Sequence, residues 1–290
     1  VTDAAQGPAG NGGVGDMVRA AFWFAVMGLL VKLAGETLPP MQIVFARGAI
    51  TLALATWMLR RAGLSPRGNR PALLLTRGLV GSAALVTYYF ALVGLPLAEA
   101  TVLQQTAPLW TAVFAAFALR ERLTLRVGGA LLLAFGGVLL IAQPSWLRGD
   151  GAAAVPLGFA LVGLLSAVLS AIAYVTVRQL GRSEEPLVVV WYLPMVTLPV
   201  SAPFALMQWA WPDLRGWALL LGIGVVTQFA QLALTRGLAR QEAGRATAIG
   251  FLQVAFAAVF GAAFFGAWPT AERWAGIALI VASLVFVARR

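Results

Sequence analysis

Charge in this chain is confined to short gaps between long apolar runs, and no other feature constrains the fold as much. A helix needs about 20 apolar residues to cross a hydrocarbon core about 30 Å thick. Ten runs reach that length, at 17–35, 40–59, 72–94, 97–119, 124–142, 156–180, 186–209, 215–237, 243–265 and 270–288. The gaps carry turn and helix-start chemistry, as in Pro39-Pro40, Ser65-Pro66-Arg67-Gly68-Asn69, Gly94-Leu95-Pro96, Arg148-Gly149-Asp150-Gly151, Glu185-Pro186, Trp211-Pro212-Asp213 and Trp268-Pro269-Thr270. The expected fold is an all-α integral membrane protein of ten transmembrane helices. Continuous runs exclude a β-barrel, whose strands alternate. Composition agrees, with 60% hydrophobic and 11% charged residues where a soluble domain has about 25% charged.

A net charge of +10 could suggest nucleic acid, but the charges sit where they orient a membrane protein. Fifteen arginines fall on the even-numbered connections and the two tails, against only Lys32, Arg148, Arg215 and Arg273 on the opposite side. The positive-inside rule then places both termini in the cytoplasm of a bacterial inner membrane. Trp209, Trp211, Trp217, Trp268 and Trp274 gather at the outer interface. Residues 1–16, rich in Gly, Ala and Asn, read as a disordered tail with no cleaved signal peptide. With no Cys and no His, disulfides, thiolate metal sites and the commonest base are missing, so neither metal nor cofactor is expected.

Sliding the chain along itself by 145 to 147 residues brings its halves into register. Lys32 meets Arg178, Pro40 meets Pro186, Val44 meets Val190, Ala98 meets Ala243, Ala112 meets Ala257 and Gly129 meets Gly276. Five spans per copy is an odd number, so the second copy enters the membrane from the opposite side, an inverted repeat with its site near the midplane. The expected division is a tail at 1–16, a first repeat at 17–142, a periplasmic linker at 143–155 and a second repeat at 156–290.

Pro108-Leu109-Trp110-Thr111-Ala112-Val113-Phe114, then Arg120-Glu121-Arg122-Leu123-Thr124, Gly128-Gly129 and Gly136-Gly137-Val138-Leu139 resemble the end of an EamA repeat of the drug/metabolite transporter superfamily. Arg47 also resembles the arginine common on the second span of that family. In the second half, Gln253 stands where Pro108 would align, and Gly266-Ala267-Trp268-Pro269-Thr270 replaces the Glu-Arg-Leu-Thr element. The resemblance implies alternating access around a central cavity formed by spans 3, 4, 8 and 9 with help from 1 and 6. Among the superfamily's members the chain looks most like exporters of aromatic and other neutral amino acids.

Polar groups at membrane depth must be satisfied by protein or line a wet cavity. At 1.5 Å per residue, Tyr88, Tyr89, Gln104 and Gln105 share one level about 10 Å below the outer ends of spans 3 and 4. Pro108 cannot donate to the Gln104 carbonyl and so leaves it free. Span 8 adds Gln228 and Gln231 on one face, and span 9 adds Gln253. These residues and Arg47 are the candidate substrate contacts, with interhelical hydrogen bonding as the other use of the amides and interfacial anchoring as the other use of the tyrosines. Arg47 requires a partner, either Glu36 or Glu99 or a substrate carboxylate. Arg77, one turn inside span 3, is expected to snorkel to the near surface, and Lys32 likewise. Ala112 with Ala116, and Ala257 with Gly261, form small-xxx-small patterns expected to pack closely.

All eleven acidic residues lie in tails, loops or helix ends, so no carboxylate is available for a buried proton relay. The expected function is export of aromatic and other neutral amino acids through a nearly uncharged cavity by an alternating-access carrier. Drugs, sugars and nucleotide sugars are the alternatives within the superfamily. A channel would differ by not saturating, and an intramembrane enzyme would need a base or metal beside Ser82, Ser166 or Ser170. The partners expected are a small-molecule substrate and the lipid bilayer, without nucleic acid; the oligomeric state is open.

Overall fold

The computed structural model describes residues 12–148, 156–266 and 268–288. Their helices are α1 (Gly12–Ala34), α2 (Pro40–Arg61), α3 (Pro71–Gly94), α4 (Leu97–Gln104), α5 (Ala107–Ala118), α6 (Leu125–Ala142), α7 (Ser145–Arg148), α8 (Leu157–Leu180), α9 (Pro186–Met207), α10 (Leu214–Arg240), α11 (Ala243–Gly250), α12 (Leu252–Phe265) and α13 (Ala271–Ala288). Several start where the chain has the chemistry to start them. Proline fixes φ and lacks an N–H that the first turn would leave unpaired, and it opens α2, α3 and α9. Thr124 and Asp213 cap α6 and α10 by accepting from Val127 N and Gly216 N.

Eight segments are long and apolar enough to span a membrane among the described residues: α1, α2, α3, α6, α8, α9, α10, and α11 with α12. The protein is thus an all-α, multi-pass helical bundle. Two of the ten expected runs stand outside that set, 270–288, which forms the 18-residue α13, and 97–119, which is broken. Where a continuous helix with one free carbonyl was expected, Gln105 and Thr106 bond back to Thr101 O and Leu103 O, and α5 restarts with Pro108 in its first turn. A missing N–H is harmless at a helix start and disruptive within one, so the backbone resolves Pro108 by restarting. The second half breaks at the matching place, with Phe251 between α11 and α12.

The start of the chain departs from expectation as well. Gly12–Asp16, expected in the tail, belong to α1, and Asp16 is buried. Its carboxylate meets Arg240 at 2.7 Å and Arg19 at 3.7 Å, giving the segment an electrostatic reason to be ordered. The rest of the tail, the Gly149–Gly151 turn, the linker from 149 to 155, Arg289 and Arg290 lie outside the described residues.

Helix pairing is symmetric. α1 packs on α10 as α8 packs on α3; α2 meets α10 as α9 meets α3; α1 meets α11 and α12 as α8 meets α4 and α5; α2 pairs with α9 and α6 with α13. The two faces nevertheless differ. On the arginine-rich face, one large apolar cluster joins α1, α8, α10 and α11, including Met17, Leu180, Leu238, Ile249 and Phe251, and it extends along the α6–α13 pair. On the tryptophan-rich face two small clusters stand apart, one of α1, α2 and α10 around Ala34, Ile43 and Ile223, the other of α3 and α4 around Ala91 and Ala100.

Close backbone packing between the two halves follows the small-residue patterns only at Ala112. Gly261 has open space where a Cβ would stand, and Ala257 is exposed. Ala112 packs closely as expected, against Gly244, and α6 meets α13 backbone to backbone at Gly137 and Gly276. A Cβ added at either of these would lie 2.6 Å from the other's carbonyl oxygen. Backbone cannot rotate away as a side chain can, so Gly137→Ala or Gly276→Ala should cost about 1–3 kcal/mol by overpacking. The expected readout is a lower Tm of purified protein in detergent, with Gly261→Ala unchanged as the control.

Candidate functional site

A cavity of about 420 Å³ lies between the halves. Of the expected site residues it brings together Arg47, Tyr88, Gln104, Gln105, Gln231 and Gln253. It leaves out three. Tyr89 sits beside Tyr88 with ring centroids 6.3 Å apart and, about 100° further round α3, is not among the lining residues. Pro108 lines a smaller pocket of about 60 Å³ that continues from the cavity past Phe24 and Tyr174 to Met17 and Thr247. Gln228 lines a cleft of about 30 Å³ shared with Arg47 and Gln231, where its buried Oε1 has no hydrogen-bond partner. Arg47 and Leu193 bring α2 and α9 into the lining, beyond the spans implied by the resemblance.

Gln104 is held from two sides. Its Nε2 donates to Ser170 Oγ at 3.0 Å and its Oε1 accepts from Ser166 Oγ at 2.8 Å. Both serines lie on α8, four residues apart and therefore on one helical face. Their partners are on the opposite half of the chain, so their role was hidden in the sequence, although the one-turn spacing was visible. Gln105 caps the end of α4, and Gln253 lies in the first turn of α12. The first N–H groups of a helix lack intrahelical acceptors and carry its positive end. Each break therefore brings a helix start to the level of the cavity together with the carbonyl end of the helix before it, α4 or α11.

The arginines differ most from expectation. Arg47 meets neither Glu36 nor Glu99, because Glu36 faces Arg215 at 3.7 Å and Glu99 accepts from Ser145 N at 2.8 Å. The hydrogen-bond partner of its Nη1 among the described residues is Met27 Sδ, at 3.8 Å. Arg77, expected to snorkel, is 5% exposed and lines the same cavity. Its buried Nε has no hydrogen-bond partner. None of the four ion pairs among the described residues includes either arginine, and no carboxylate lines the cavity. The nearly uncharged cavity expected from the sequence is in fact positively charged. Lys32 behaves closer to expectation, exposed and 3.9 Å above the Phe265 ring.

The arginine-rich end is closed by charge as well as by packing. Glu121 accepts from Arg178 Nε at 2.7 Å and from Ala243 N at 2.6 Å, while Arg178 also donates to the Leu238 and Ala239 carbonyls. Glu184 accepts from Asn69 N and Arg70 N at the head of α3. On the other face, among the described residues, the Glu36–Arg215 pair is loose and more than half exposed, while Glu99 accepts from Ser145 N, Glu272 accepts from Gln143 Nε2 and Gln42 exchanges two hydrogen bonds with the Ala210 backbone. The cavity thus has the Glu121–Arg178 pair and the large apolar cluster on its arginine-rich side and lies between the divided clusters of the other.

Comparison with known proteins identifies the class. The profile of the EamA-like transporter family matches residues 13–143 and 157–289, and the chain belongs to that family of small-molecule transporters. A solved crystal structure shares the fold at a TM-score of 0.84 and 20% identity, with 96% of each chain covered. Among particular proteins, the chain is 36% identical to the pseudopaline exporter CntI of Pseudomonas aeruginosa over 273 residues, 94% of each. It is 30% identical to mouse solute carrier family 35 member G1, covering 92% of this chain and 75% of that one. It is 29% identical to the riboflavin transporter of Rhizobium johnstonii, covering 94% and 89%.

The Glu121–Arg178 closure can be tested because the chain has no cysteine of its own. Thr247→Cys places one thiol in the smaller pocket behind the closure. Breaking a largely buried pair strands its partner, so Glu121→Gln should raise the maleimide labelling rate there by about tenfold or more. An unchanged rate would show that packing alone seals this end.

Proposed function

We propose that this protein is an inner-membrane carrier, ten spans in two inverted repeats with both termini cytoplasmic, that exports a small anionic metabolite with an apolar body by alternating access. One observation carries the substrate class: Arg47 and Arg77 enter one cavity with no carboxylate to neutralise them. A charge at membrane depth without a partner costs on the order of 3 kcal/mol, and a bound anion would offset that cost. Guanidinium donors fit carboxylate or phosphate bidentately.

Neutral amino acids fit this arrangement less well, since a zwitterion brings an ammonium group into a cavity that already holds two cations and no acid. The relatives named above favour other metabolites too, one group exporting pseudopaline and another carrying riboflavin. The apolar lining, Phe24, Met27, Leu85, Leu193 and Val254, supports a substrate with an organic body rather than a bare inorganic anion.

Counterflow in proteoliposomes tests the reading. Vesicles preloaded with phenylsuccinate or suberate should accumulate the same labelled compound above equilibrium, and Arg47→Gln should abolish this. Vesicles loaded with phenylalanine should not accumulate it. Saturable phenylalanine counterflow without carboxylate counterflow would restore the amino-acid reading and sink this one.

A further inference from the structure

The two arginines hold different depths, and the way Arg77 is held points to the shape of the substrate. Arg47 lies seven residues in from Pro40, and its contact Met27 lies seven residues from Ala34, so both place its guanidinium about 10 Å below the tryptophan-rich end. A helical side chain ordinarily leans toward its own N-terminus, which for Arg77 is the nearby arginine-rich surface and the easy route to water. Arg77 does the opposite. A Cβ at Gly81, one turn further into the membrane, would overlap its Nη1, so the guanidinium lies against Gly81. Gly81 is 13 residues from Gly94, about 20 Å below the tryptophan-rich end.

The two guanidinium groups are therefore separated by roughly 10 Å in depth along one cavity. One carboxylate or phosphate, only about 2–3 Å across, cannot accept hydrogen bonds from both. Between these levels lie the start of α5, about 15 Å down, and the Gln104 amide, already occupied by its serines. Resting on the anionic-substrate reading above, we infer that the substrate carries two acidic groups on one body, the outer held by Arg47 and the inner by Arg77, with Gly81 as the residue that sets the second contact. Arg77 binds substrate directly. Gly81 is a positioning residue whose lack of a Cβ keeps Arg77 turned inward.

Gly81→Ala can be made without threatening the fold, because the atoms its methyl would meet are the flexible ends of Arg77 and Leu193. The probes are the α,ω-dicarboxylates from glutarate to sebacate, each with its monomethyl ester as the matched single acid, titrated into protein in nanodiscs. Affinity should rise with length and peak where the carboxylates stand about 10 Å apart, near suberate to sebacate. At the peak the diacid should bind at least about tenfold more tightly than its ester. Arg77→Gln and Gly81→Ala should each erase that preference while leaving ester affinity within about twofold. Arg47→Gln should weaken diacid and ester alike. Affinity indifferent to length and to methylation, with Arg77→Gln neutral, would overturn the two-point site and leave a one-point anion carrier. If no carboxylate binds while neutral solutes do, the anionic reading itself falls and the two-point site with it.

Discussion

Lipid offers no water to a charged group, and the arrangement of this protein follows from how it deals with two charges at depth. Elsewhere several buried ions at helix ends are paired: Asp16 with Arg240, Glu121 with Arg178, Glu184 with the backbone of Asn69 and Arg70. Arg47 and Arg77 line a cavity that holds no acid and, among the described residues, form no ion pair. Their surroundings are built to tolerate that, with a cavity roomy enough for water or solute, a glycine that gives one guanidinium space, and phenol groups from Tyr88 and Tyr174 nearby. The Gln104 amide, by contrast, is consumed in joining α4 to α8.

The sequence disclosed whatever depends on length and local chemistry. Apolar runs set most of the helices, prolines set several starts, and polar residues stranded in apolar runs picked out Arg47, Tyr88, Gln104, Gln105, Gln231 and Gln253 as cavity residues. Features that depend on a second segment stayed hidden. Whether Tyr88 or Tyr89 faces inward is a matter of helix rotation, and whether Arg77 leans toward water or away from it is settled by Gly81 and by packing against α9. Ser166 and Ser170 looked inert because Gln104 reaches them from a different part of the chain. Asp16 looked like part of a tail because Arg240 is more than two hundred residues away. The break in span 4 was visible in Pro108, whose chemistry the backbone follows to a stop and restart instead of a single orphaned carbonyl.

Both halves use one scaffold with different fittings. Lys32 and Arg178 occupy aligned places in the last turns of α1 and α8, yet Arg178 closes on a carboxylate and two carbonyls while Lys32 rests over the Phe265 ring. Departures from the repeat, such as Glu121 having no acidic counterpart after α12, are thus where the two ends of the molecule acquire unequal strength.

That inequality has a kinetic meaning. A carrier moving between two open states waits in the one whose closed end is better secured. On the orientation proposed above, the well-secured end faces the cytoplasm, where an exporter must collect its cargo. The empty protein would then spend most of its cycle facing away from what it carries, and reopening the charged end would set the turnover. Solute returning from outside would load the waiting state directly, so exchange would outrun net efflux, and traffic would be governed less by the cavity than by the latch beneath it.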